Sequence, residues 1–100
     1  MNNNSDKIQL IVSERRIKLH VFQPSMREIW TVVGKGEEYW IDPIDDFCSC
    51  PGFHYGILNG KRDCYHLKSV KIGKNENKFE TIIFSDDEFS DFLHGLICNL

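Results

Sequence analysis

The chain has 100 residues, 41% of them hydrophobic and twelve aromatic, enough for one compact domain with a thin stability margin, which leaves room for a staple such as a metal. A formal net charge of −3 argues against a strong, purely charge-driven nucleic-acid binder. No apolar run approaches the roughly 20 residues that cross a bilayer, and the opening MNNNSDKIQLIVSERR lacks an apolar h-region and a small-residue cleavage site, so a cytoplasmic protein with reduced thiols is expected.

Met1–Asn4 reads as a polar start, with Ser5 as the N-cap of a short helix that carries Ile8, Leu10, Ile11 and Val12 to about Arg15–Arg16. Ile17, Leu19 and Val21 then alternate with Lys18, His20 and Phe22, the period of two that predicts a strand. On this reading His20, like His94 further on, is a surface or rim residue. Pro24-Ser25 marks a turn, and a second strand is expected over Ile29–Val33. The stretch GKGEE at Gly34–Glu38 turns into a third strand, Tyr39–Asp42, completing an antiparallel meander.

Asp42-Pro43 and Asp45-Asp46 break the pattern before residues 48–66, where three of the four cysteines and two of the four histidines are gathered. Cys64–Ile72 predicts a helix capped by Asp63 and ended by Gly73, with Leu67 and Val70 turned to the core. Phe79–Phe84 reads as a strand. Ser85-Asp86-Asp87-Glu88 is a capping-box pattern opening a last helix, whose apolar stripe is Phe89, Phe92, Leu93, Leu96 and Ile97. Cys98 reads as a small buried hydrophobe. The fold class expected is α+β: one domain over residues 1–100, with a metal motif at 48–66 and a strand–helix extension at 79–98.

The cysteine cluster carries the chemistry. Residues two apart on an extended segment share a side, so Cys48 and Cys50 can converge on one ion. Cys64 and His66 are also two apart, and in mid-helix they would diverge by roughly 200°. They converge only where the segment is not yet regular helix, which places the pair at the helix start. There, unpaired N–H groups and the positive end of the helix favour thiolate over thiol. A Cys48–Cys50 disulfide would be badly strained. His54, inside the loop, is an alternative fourth ligand.

Cys-x-Cys, thirteen residues, then Cys-x-His resembles the SWIM-type zinc finger, including its small stand-alone archaeal form. Trp30, Val32, Gly34, Tyr39 and Ile41 look like the two strands before its metal motif. FCSCPGF (Phe47–Phe53) and CYHLKSV (Cys64–Val70) look like its knuckle and its helix. The resemblance covers about Ile29–Ile72. It implies a structural Zn²⁺ held by Cys48, Cys50, Cys64 and His66. It also implies binding to DNA or to other proteins, among them RecA-like recombinase paralogues, in recombination or repair.

Residues 61–78 carry six basic side chains against two acids, while Glu37–Asp46 and Glu80–Asp91 are acidic with no base. Lys61, Arg62, Lys68 and Lys71 are therefore the candidate phosphate contacts, and Phe53, Tyr55 and Tyr65 candidate stacking partners for bases. No deaminase, H-E-x-x-H, P-loop or G-x-S-x-G pattern occurs, and a closed four-ligand site leaves no open position. A non-enzymatic module is expected. It acts on nucleic acid or serves as an adaptor that docks a recombinase-like ATPase or a second copy.

Overall fold

The structure is a computed structural model. It describes residues 4–34, 36–50, 53 and 64–98, and for residues 4, 5, 97 and 98 the backbone only. The elements in chain order are α1 (Asn4–Ser13), β1 (Ile17–Gln23), β2 (Arg27–Val33), β3 (Glu38–Asp42), β4 (Phe47–Cys48), α2 (Tyr65–Glu76), β5 (Glu80–Ser85), a 3₁₀ turn (Asp86–Glu88) and α3 (Phe89–Cys98). The fold is α+β. Helix α1 already includes Asn4, so Ser5 lies inside its first turn rather than capping it.

The strands form one five-stranded sheet in the order β4-β3-β2-β1-β5. β1 through β4 pair antiparallel in sequence, the expected meander extended by one short strand. β5 departs from that pattern. It lies parallel to β1, with Lys18 beside Glu80 and Phe22 beside Phe84, which makes the sheet mixed. The physical reason is the connection: β5 follows a helix rather than a tight hairpin, and a helical crossover can return the chain in the same direction.

Both faces of β1 are covered, and this accounts for its nearly continuous burial. Ile17, Leu19 and Val21 join Trp30, Val32, Ile41, Cys48 and the helix residues Ile11, Val12, Leu67 and Val70 in the main core. On the other face Phe22 and Ile29 meet α3 through Leu96, ringed by Phe84, Phe89, Phe92 and Leu93. Phe22 stacks on Phe84 at 5.2 Å and takes the edge of Phe89 at 4.9 Å. The apolar stripe expected for the last helix thus packs as anticipated up to Leu96. Ile97 and Cys98 lie on α3, and their side chains are outside the described set.

His20 corrects a sequence-based expectation. It is buried, at 3% exposure, because α3 roofs the face that strand alternation assigned to solvent. Its Nε2 lies 3.0 Å from Thr31 Oγ1, and the Thr31 hydroxyl donates to Glu38 Oε2 at 2.6 Å. A hydroxyl has one proton to give. Thr31 therefore accepts from Nε2–H, and His20 is the tautomer protonated there. Its Nδ1 is buried without a hydrogen-bond partner, and its ring lies 4.5 Å from that of Phe92. The Glu38 carboxyl lies below its ordinary 4.5, first through the nearby His20 ring, whose Nε2 is 3.6 Å from Glu38 Oε2, and then through the Thr31 hydroxyl, against the opposing effect of burial.

Gly73 also plays a different part from the one expected. It does not end the helix. Instead α2 runs to Glu76 and stops at Asn77, whose left-handed backbone (φ 56°) sends its N–H to the Gly73 carbonyl. Gly73 sits where α2 presses on the sheet. A Cβ there would stand 2.5 Å from Ile17 Cδ1 and 3.2 Å from the Lys78 carbonyl oxygen.

Candidate metal centre

Strand β4, the bend that follows it and the start of α2 supply the donors. Cys48 ends β4, and its register opposite Ile41 turns it to the α1–α2 face of the sheet. Ser49 continues the pairing, its N–H donating to the Trp40 carbonyl at 3.0 Å, and the chain bends at Cys50. The Phe53 N–H then returns to the Cys50 carbonyl at 3.2 Å, and the fully buried Phe53 ring seals the knuckle.

Cys64 is the N-cap of α2, with extended dihedrals (φ −157°, ψ 165°), and its sulfur accepts the Leu67 N–H at 3.4 Å. The cap is thus a cysteine sulfur. Asp63, expected in that place, lies outside the described residues. His66 is the second residue of the helix. Its Nδ1 lies 4.0 Å from Cys64 Sγ. The extended cap residue is what allows two side chains two positions apart to face each other.

The donor atoms of Cys48, Cys50, Cys64 and His66 all lie within 4.8 Å of one another. Cys48, Cys50 and His66 are buried and Cys64 is partly so. A tetrahedral zinc with sulfur at about 2.3 Å and nitrogen at about 2.0 Å has ligand-to-ligand edges of roughly 3.5–3.8 Å. The observed set needs to contract by at most about an ångström to reach that geometry. Three soft sulfurs and one imidazole, with no carboxylate in the cluster among the described residues, suit zinc rather than calcium or magnesium.

The thiols themselves show how crowded the site is. Hydrogen bonds from Cys48 and Cys64 push the Cys50 thiol down, while Cys48, as the donor to Cys50, is pushed up. Cysteine binds a metal as the thiolate, so an incoming cation would displace the protons shared within the cluster. The aromatic wall is close: the Tyr65 and Tyr39 rings lie 4.2 Å and 4.9 Å from the His66 ring.

The other candidates separate. Lys61, Arg62, His54 and Tyr55 lie outside the described residues. Lys68 and Lys71 are exposed on α2, and Lys71 pairs with Asp46 at 2.5 Å. Phe53 is fully buried in the core and so is not available to stack on a base. The His20–Thr31–Glu38 relay, missed in the sequence, had one available signal: Phe22 breaks the polar alternation of β1 and so hints that its second face is covered.

Comparison with known proteins adds relatives. No family model matches the chain, and no solved structure matches it. A protein of Dictyostelium discoideum named zinc finger SWIM domain-containing protein 7 homolog is 34% identical over 83 residues, covering 79% of this chain and 53% of that protein. An uncharacterized protein of Archaeoglobus fulgidus is 34% identical over 67 residues, covering 67% of this chain and 56% of that protein. The chain spans about half the length of the curated relatives it matches. The similarity and the convergence of three cysteines and a histidine at the SWIM spacing lead to one conclusion: the chain carries a SWIM-type zinc finger motif.

Proposed function

We propose that the chain is a non-enzymatic binding module, stapled by one Zn²⁺ on Cys48, Cys50, Cys64 and His66, that presents a basic helical face to DNA in recombination or repair. The convergence of the four donors carries the zinc part. Zinc would supply cross-linking here, tying the β4 knuckle to the start of α2. Four protein ligands would fill its coordination and leave no position for a substrate or an activated water.

The DNA part draws support from how charge is divided between the two layers. Helix α2 has Lys68, Lys71 and Lys74 against the single acid Glu76. On the opposite side, the 3₁₀ turn and α3 hold Asp86, Asp87, Glu88 and Asp91 with no lysine or arginine. A modest net charge therefore conceals one basic and one acidic side. The Lys71–Asp46 pair is half exposed on both partners, so it is worth little and yields readily to a phosphate. The test is a salt titration of single- and double-stranded DNA binding, comparing the wild type with Lys68→Glu/Lys71→Glu. Affinity should fall steeply with salt, and the double variant should bind more weakly with a shallower slope. Equal binding by both proteins overturns the reading.

A second reading, an adaptor that docks a RecA-like ATPase or a second copy, is favoured by one observation. Met26, Trp40 and Ile44 are exposed at 58%, 41% and 84%, and they border a groove floored by Ile29, Phe89 and Leu93. Sedimentation of the zinc-loaded protein that shows dimers, or capture of a purified recombinase paralogue lost in Trp40→Glu, would support it. A monomer indifferent to that paralogue would remove it.

A further inference from the structure

A cavity of about 400 Å³ opens beside the metal centre, between α1, the β2–β3 turn and the start of α2. Its volume falls within the range of small-ligand pockets, about 300–1,000 Å³. One wall is aromatic: Tyr39, His66 and Tyr65 present their rings side by side. Leu10, half exposed on α1, adds an apolar lip.

The charges at the mouth are mixed in a specific way. Lys7 Nζ lies 5.0 Å from the centre of the Tyr65 ring, and Arg16, paired with Glu14 at 2.5 Å, stands close by. Glu37 also lines the cavity and already accepts the Tyr39 hydroxyl. A carboxylate has about four acceptor positions, so Glu37 retains capacity for another donor. A flat ligand would find a π-surface to lie on, a carboxylate to receive ring or amino N–H groups, and cations at the rim for an attached phosphate.

We propose that this cavity takes one unpaired base of a single-stranded nucleic acid, stacked on Tyr65 or Tyr39, with Lys7 and Arg16 on the adjoining phosphates. The proposal rests on the nucleic-acid reading above and adds to it a strand form and a place. It also explains why Tyr39 and Tyr65 remain only partly covered by the core.

The test uses the zinc-loaded full chain and a twelve-nucleotide single strand carrying 5-bromouracil, photo-cross-linked and mapped by peptide mass spectrometry. Cross-links on Tyr65 or Tyr39 are expected. Lys7→Glu, an exposed substitution, should weaken binding about three- to tenfold with zinc content and melting temperature unchanged. Tyr65→Phe should bind like the wild type, because the ring is kept, whereas Tyr65→Ala should lose at least fivefold. Binding with all cross-links outside the cavity overturns this proposal and leaves the nucleic-acid reading standing. No binding at 50 mM salt overturns both.

Discussion

Cys64 does two jobs with one side chain. Its sulfur caps α2 through the Leu67 N–H and belongs to the four-donor cluster. Structural zinc can contribute about 10 kcal/mol or more to folding small domains, comparable to the whole stability of a typical one, about 5–15 kcal/mol. Cys64→Ser keeps a capping oxygen and removes a thiolate. It should leave the chain without stoichiometric zinc and largely unfolded by circular dichroism at 25 °C; a folded, zinc-free variant would refute this. Glu38 gives a second residue-level expectation. Its carboxyl is held below 4.5 in the fold, so it adds stability at pH values above 4.5, and that contribution disappears as pH falls through the lower folded value. Glu38→Gln should therefore cost about 1 kcal/mol in urea unfolding at pH 7, with the same deficit at pH 5.5 and a narrowing one below 4.5. A deficit that grows with acidity would contradict the Thr31–Glu38 hydrogen bond. The four side chains that converge were legible because spacing is a local property. The relay was not, because burial of His20 depends on a helix seventy residues away in the chain.

At the level of elements, the close seat of α2 on β1 depends on Gly73. Ordinarily alanine improves a helix by up to about 1 kcal/mol over glycine. Here the added methyl meets Ile17 Cδ1 and the Lys78 carbonyl, so Gly73→Ala should instead destabilise by about 1–3 kcal/mol. Ile17→Val removes the offending methyl, and in the double variant the two changes should cost less than their sum by about 1 kcal/mol. Strict additivity in urea unfolding would show that the contact is not the cause. A second tie joins distant elements: Asp86 receives both the Ser25 N–H (3.0 Å) and the Ser25 hydroxyl (2.7 Å), anchoring the 3₁₀ turn to the β1–β2 turn. Ser85, expected to cap the last helix, does accept a capping bond from Asp87 N–H, but through the 3₁₀ turn that precedes the helix. Element types were readable from periodicity, while the caps of α2 were not: Cys64 caps it and Asn77 ends it, where Asp63 and Gly73 were expected. Strand partners were also less readable: nothing in the local pattern of Phe79–Phe84 shows that β5 will return beside β1, since a parallel partner is chosen by the crossover rather than by a turn.

In the whole molecule, the sheet separates two unlike sides. One carries the metal cluster, the basic face of α2 and the aromatic cavity; the other is the acidic α3 layer over an aromatic core. No helix among the described residues is long and apolar enough to cross a membrane. Composition alone does not show this polarity, because a net charge of −3 averages over both sides. The order of charges along the chain already separates the basic stretch 61–78 from the acidic stretch Glu80–Asp91, and the topology then assigns α2 and α3 to opposite faces. A zinc ion held by Cys48, Cys50, Cys64 and His66 would fix the start of α2 against β4, and the account depends on it. The most direct measurement is the zinc K-edge X-ray absorption spectrum of the purified chain, with metal content determined on the same sample. One zinc per chain is expected, with three sulfurs near 2.3 Å and one nitrogen near 2.0 Å. A zinc-free chain that is nonetheless folded, or a first shell of oxygen in place of sulfur, would contradict the account.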